Sequence, residues 1–173
     1  GLSFGQPDPS ALRKAVKEAK NDTAWVDATN ALARYYLDAS LHEVIQLAQD
    51  AYVTAAEIRY HEGVCESYLI LSRYYSRKGE LESALGAIEV ATAAAQKCKD
   101  KSYLADCYYQ RGQTHFIDGN VKMQLKYHQK ALEIRRGLGD KLALSHSYNG
   151  VASIHYYQGN DSLAKVYFEY ALA

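Results

Sequence analysis

The residues with the widest chemical range in this chain are six histidines and three cysteines, and their spacing decides what they could do. His42, His61, His115, His128, His146 and His155 include no HxxxH pair and no HExxH, the spacings that set two imidazoles on one helical face for a metal ion. Cys65, Cys98 and Cys107 are odd in number and form no CxxC pair, so buried thiols in a reducing compartment are expected rather than a disulfide framework or a zinc site. Ser145-His146-Ser147 sets hydroxyls beside an imidazole. Sequence neighbours on a helix do not face each other, however, and no third partner is identifiable. Gly137-Leu138-Gly139 has the glycines of a phosphate loop but follows a helix instead of a strand. No enzyme, cofactor or metal is therefore expected. Binding chemistry remains. Arg73 and Arg77 lie four apart, on one face of a helix, where they could hold a carboxylate. Gln113 and Asn149 each donate and accept, as contact with a peptide backbone requires.

The elements that would position these groups follow from a repeat. Gly79, Gly119 and Gly159 recur with a period of 40 residues, and Ala91, Ala131 and Ala171 each follow 12 residues later. Counting back one period from Ala91 gives Ala51, so a more divergent copy starts near Thr23. First helices are expected near 23–38, 63–77, 102–117 and 141–157, and second helices near 41–60, 81–98, 121–137 and from 161 onward. Each glycine can take the left-handed conformation that closes a helix; the first copy has Ala39-Ser40 there and needs a different turn. Residues 1–9 read as a loose lead-in, Ser10 as an N-cap, and Leu12, Ala15, Val16 and Ala19 as the inner face of a short helix ended by Asn21-Asp22. The organisation is thus a lead-in and capping helix over 1–22, then an array over 23–173 with copies at about 23–62, 63–102, 103–142 and 143–173. The last copy stops inside its second helix at Ala173, which reads as a fragment of a longer protein.

Composition supports an all-helical chain. Both prolines, Pro7 and Pro9, lie in the first ten residues, and nothing beyond them but glycine interrupts a helix. Twenty basic residues balance twenty acidic ones, so no field favours nucleic acid or an anionic membrane. No apolar run approaches the roughly 18 residues that span a bilayer, and the N-terminus has no signal-peptide pattern. The expected location is the cytoplasm.

The copies resemble tetratricopeptide repeats, whose pattern W-x2-L-G-x2-Y, then A-x3-F, runs over about 34 residues. Copy two supplies Tyr68, Leu71, Ser72, Tyr75, Gly79, Ala84, Ile88 and Ala91; copy four supplies Tyr148, Val151, Ala152, His155, Gly159, Ala164, Phe168 and Ala171. Copy three keeps Tyr108, Gly112, His115, Gly119 and Ala131 but has Arg111 in place of the usual Leu and Gln124 in place of the usual Ala. Copy one is weakest, with Ala28, Ala31, Leu32, Tyr35, Ala48 and Ala51. The longer period adds about six residues, or about 9 Å of helix, to each copy. It is similar to the repeats of spindle-orientation adaptors, kinesin light chains, bacterial quorum-peptide receptors and sensory arrays fused to cyclases, histidine kinases or transcription regulators. The resemblance implies an all-α superhelix, a tetratricopeptide solenoid of about four helix-turn-helix repeats behind an N-terminal helix. It also implies a concave face lined by the first helix of each copy.

Carried over position by position, that face presents Arg73 and Arg77 from copy two, Tyr109, Gln113 and Phe116 from copy three, and His146, Asn149, Ser153 and Tyr156 from copy four. The Lys and Asn of chaperone-type carboxylate clamps are missing, since those positions read Thr29-Ala33, Leu69-Arg73, Tyr109-Gln113 and Asn149-Ser153. His115 and His155 fall where Tyr35 and Tyr75 stand in earlier copies and are expected to pack between helices with one hydrogen bond each. The expected function is a non-catalytic module that binds a protein or peptide segment in its groove, as a sensory or adaptor part of a larger signalling protein. The alternative is a self-association segment, a homodimer formed through the open C-terminal end near Tyr167, Phe168 and Tyr170, that regulates an output domain such as a cyclase, kinase or transcription regulator.

Overall fold

The computed structural model describes residues 8–172, and among them every regular element is a helix. Helix α1 (Pro9–Lys17) precedes four pairs: α2 (Asp22–Ala39) with α3 (Leu41–Glu57), α4 (His61–Lys78) with α5 (Leu81–Ala95), α6 (Ser102–Ile117) with α7 (Val121–Leu138), and α8 (Lys141–Tyr157) with α9 (Asp161–Leu172). An all-α array of four pairs behind an N-terminal helix is the expected class. The lead-in up to residue 7 and the terminal Ala173 lie outside the described residues.

The turns within pairs follow from backbone chemistry. Gly79, Gly119 and Gly159 have φ of 76°, 69° and 74°. The amide after each glycine donates back across the helix end, Glu80 to the Tyr75 carbonyl, Asn120 to His115 and Asn160 to His155, each at 2.9 Å. This six-to-one bond satisfies a carbonyl that the last turn would otherwise leave open. In the first pair Ala39 stands at the glycine position and stays helical, and Ser40 makes the turn: its backbone is extended, and its hydroxyl bonds the Glu43 carboxylate at 2.5 Å. That hydrogen bond is the main cause holding the Glu43 carboxyl below its ordinary range.

Two caps differ from expectation. Asp8 rather than Ser10 caps α1, because Pro9 at the first helical position has no N–H and the Ser10 amide donates to Asp8 at 3.0 Å. Asn21 does not end the first helix; its side chain accepts from the Ala24 amide at 2.8 Å and starts the second.

The chain divides into two compact units, one up to Cys98 and one from Lys99. In the first unit the core joins Leu32, Tyr36, Leu37, Val44, Ile70, Leu71 and Ala87, and Leu12 and Val16 of α1 pack onto it. Here α2 and α4 pack directly against each other and are stitched by polar groups. The Asn30 amide donates to the Gly63 carbonyl at 3.3 Å, Ser67 donates to Asn30 at 2.9 Å, and Tyr60 donates to Asp27 at 2.9 Å. Arg34 pairs with Glu66, while Arg77 bonds Asp38 at 2.6 Å and the Leu37 carbonyl. In the second unit α6 packs on α7, α7 on α8 and α8 on α9, but the backbones of α6 and α8 approach each other at most marginally.

The turn glycines have room for a side chain but not the backbone for one: an added Cβ at Gly119 meets nothing within 4 Å. Gly119→Ala should therefore cost about 1–2 kcal/mol through the left-handed conformation alone. Gly86→Ala, in the middle of α5 with equally open space, should gain about 0.5–1 kcal/mol from helix propensity. Urea unfolding of the two variants should move in opposite directions; equal shifts would contradict this account of the turns.

Candidate functional site

Of the expected groove residues, Tyr109, Gln113 and Phe116 on α6 and His146, Asn149 and Ser153 on α8 come together around one depression of about 310 Å³ in the second unit. Gln124 and His128 of α7 form part of its lining, with Gly150, Ile154 and Tyr157 of α8. Tyr156 is elsewhere: it lines a separate apolar depression with Ala164, Phe168 and Leu172 of α9, because one residue further around α8 changes the face. Arg73 and Arg77 belong to the first unit. The carboxylate that Arg77 holds is the chain's own Asp38, in the last turn of α2. Arg73 is half-buried and also has a partner within the chain.

The depression exists because α7 is visible between two first helices. His128 is 1% exposed and sits between glycines of both neighbours. A Cβ at Gly112 on α6 would lie 2.8 Å from its Cδ2, and a Cβ at Gly150 on α8 would lie 3.2 Å from its Nδ1. Tyr109 meets the imidazole edge-on, with ring centroids 4.8 Å apart. One period earlier the place of His128 is taken by Ile88 and that of Tyr109 by Leu69. The sequence signal for this arrangement was a bulky ring opposite two glycines, together with Gln124 in place of the usual alanine; reading first-helix positions alone misses both.

A buried cation holds the rest in place. Arg135 on α7 is 7% exposed. It donates to Asp106 of α6 at 2.5 Å, and to the Ser147 hydroxyl at 2.7 Å and the Ala143 carbonyl at 3.2 Å on α8. Its guanidinium also lies 4.9 Å from the centre of the Tyr109 ring. A buried guanidinium needs such pairing to offset its lost hydration. Burial, and secondarily the Arg135 charge, push the His128 imidazole down to about 4, so it is neutral at neutral pH. Gln113 donates to the Tyr109 hydroxyl at 3.0 Å. Asn149 accepts from the Ser153 hydroxyl through its backbone carbonyl at 2.9 Å, leaving its side-chain amide facing the depression.

The other reactive types are dispersed. Ser145 donates to the Ala171 carbonyl at 2.7 Å and Ser147 accepts from Arg135, while His146 faces the depression. His115 and His155 pack between helices as rings stacked on Tyr127 and Tyr167, both at 5.6 Å. The single hydrogen bond expected for each is a correction at His115, where neither ring nitrogen has a partner; Nδ1 of His155 has none either. Burial, then Arg111, lowers the His115 pKa. Cys65, Cys98 and Cys107 are all buried and unbridged.

No protein-family model and no curated protein matches the chain. Solved structures do. BtubC (BKLC) from P. vanneervenii superposes with a TM-score of 0.72 at 20% identity, over 94% of this chain and 68% of that one. A Podosopora anserina chain of nearly identical TPR-like repeats, described as a kinesin light chain, gives 0.60 at 16% over 94% and 81%. MamA gives 0.54 at 22% over 95% and 84%. The fold is that of a tetratricopeptide-repeat array. No helix among the described residues is long and apolar enough to cross a membrane.

Two outcomes are expected. Gly112→Ala should destabilise the chain by about 1–3 kcal/mol, because the buried imidazole cannot step aside, and calorimetry checks it. For pH, the unfolded chain binds the His128 proton near 6.5 and the folded chain only near about 4. This contribution to stability is therefore complete above pH 6.5 and lost as pH falls towards 4, roughly 3 kcal/mol in all. His128→Leu should flatten that stretch of a urea-midpoint-against-pH curve. An unchanged slope would mean that His128 is protonated in the folded chain.

Proposed function

We propose that this chain is a non-catalytic binding module that takes an extended segment of a protein partner into the α6–α7–α8 groove, as a sensory or adaptor part of a larger signalling protein. The observation that carries the reading is an open groove with two side-chain amides, those of Asn149 and Gln124, that pair with no described residue. The walls are set by packing and by the Arg135 network, so little ordering is required on binding. Phe116 and Tyr157, 54% and 78% exposed, offer aromatic area that loses little rotamer freedom. The unbridged cysteines support a reducing, cytoplasmic setting.

A second reading, self-association that regulates an output domain, has its own supporting observation. Leu163, Val166, Tyr170 and Leu172 of α9 are exposed, and Phe168 and Leu172 line an apolar depression of about 510 Å³ with Tyr156. Exposed apolar patches of this kind often mark contact surfaces.

Affinity capture from native lysate separates the two. Wild type should retain a partner that the Gln113→Ala, Asn149→Ala double variant loses, with the fold of both checked by circular dichroism. Retention of the same partners by the double variant would reject the groove. Capture of the chain's own copies alone, lost in Leu163→Glu, would favour self-association through α9.

A further inference from the structure

We infer that the α6–α7–α8 groove selects uncharged peptide segments, with an apolar side chain seated over His128 and the backbone read by Gln124 and Asn149. The inference rests on the peptide-binding reading and specifies its ligand.

Charge is the first argument. None of the groove's lining residues is Asp, Glu, Lys or Arg. Arg135, the buried cation behind Tyr109, is already paired with Asp106, and it also donates to Ser147 and Ala143. His128 stays neutral down to about pH 4 and adds no positive charge at neutral pH. A carboxylate or ammonium entering the groove would shed water and find no opposite charge in exchange. The balanced composition of the chain, twenty basic and twenty acidic residues, adds no long-range attraction for either sign.

Hydrogen bonding is the second argument. Gln124 is only 9% exposed, yet its amide pairs with no described residue and lines the groove. The amide is not enclosed: it reaches the groove, where its donor and acceptor are open to a ligand. Asn149 on α8 presents a second unpaired amide to the same space. An amide that donates and accepts matches a peptide unit, which does the same. Between them the accessible ring surface comes from Phe116 and Tyr157, with the buried His128 and Ile154 closing the floor beneath. This suits one aromatic or branched aliphatic side chain, flanked by backbone. In the first unit α2 and α4 instead pack directly, with Asn30 bonded to Gly63 and Ser67 across those helices.

The test uses the whole chain and three fluorescein-labelled random peptide pools with blocked ends. One pool is built from Ala, Leu, Phe, Tyr, Ser, Asn, Gln and Gly. The second replaces Asn and Gln with Asp and Glu, and the third replaces them with Lys and Arg. Fluorescence anisotropy should show the uncharged pool binding at least about tenfold more tightly than either charged pool. Asn149→Ala should weaken that binding, and Asn149→Asp, a change at an exposed position, should shift preference towards the basic pool. Equal or tighter binding of an unmutated chain to a charged pool overturns the charge selection while leaving the groove as a peptide site. Binding of no pool, or binding that ignores both Asn149 variants, overturns the groove reading itself.

Discussion

The second unit depends on how far α7 reaches between α6 and α8. Two glycines, Gly112 and Gly150, flank the His128 ring so closely that a methyl group on the first would collide with it. Interiors are packed too tightly to absorb such a change without strain. A ring of that size between two glycines, with Tyr109 against its edge, leaves first helices that meet each other only marginally and a floor that can be reached from outside. Once the floor is open, the polar groups on it become available. Gln124, one helical turn before His128, is the clearest consequence.

Polar side chains do opposite things in the two units. In the first, Asn30, Ser67, Tyr60 and Asp27 spend their hydrogen bonds joining α2 to α4, and Arg34 and Arg77 reach across to Glu66 and Asp38. These groups hold the two first helices together. In the second, the strongest polar interactions are gathered on Arg135, which ties Asp106, Ser147 and Ala143 to α7 from behind Tyr109. Concentrating the cross-links on one buried guanidinium leaves Asn149 and Gln124 unpaired on the groove side. The same repeat pattern therefore brings the first helices together in one unit and leaves them apart in the other.

What the sequence made legible was the part governed by local rules. The glycine period marks the turns because only a left-handed residue closes those helices with the observed six-to-one bond, and Tyr109, Gln113, Phe116, His146, Asn149 and Ser153 share one depression because helical spacing puts them on facing surfaces. Local rules also misled. Ser10 and Asn21 are both good cap types, and which helix end each serves depends on Pro9 and on the Ala24 amide. Arg77 read as a groove residue able to hold a ligand's carboxylate because its partner, Asp38, is far away in sequence and on another helix. Tyr156 went to the α9 face by a single step around α8. His128 and Gln124 lie on a second helix, where the repeat pattern expects packing alone, and only their size and polarity against Gly112, Gly150 and the usual alanine mark them as different.

The central claim is that this opening receives a partner's backbone. A crystal structure of the chain with the tightest peptide recovered from the uncharged pool tests it most directly. The account predicts the peptide between α6 and α8, its backbone within hydrogen-bond distance of the Gln124 and Asn149 amides and one apolar side chain over His128. A peptide seated on the α9 face, or a groove still empty in the complex, would contradict it.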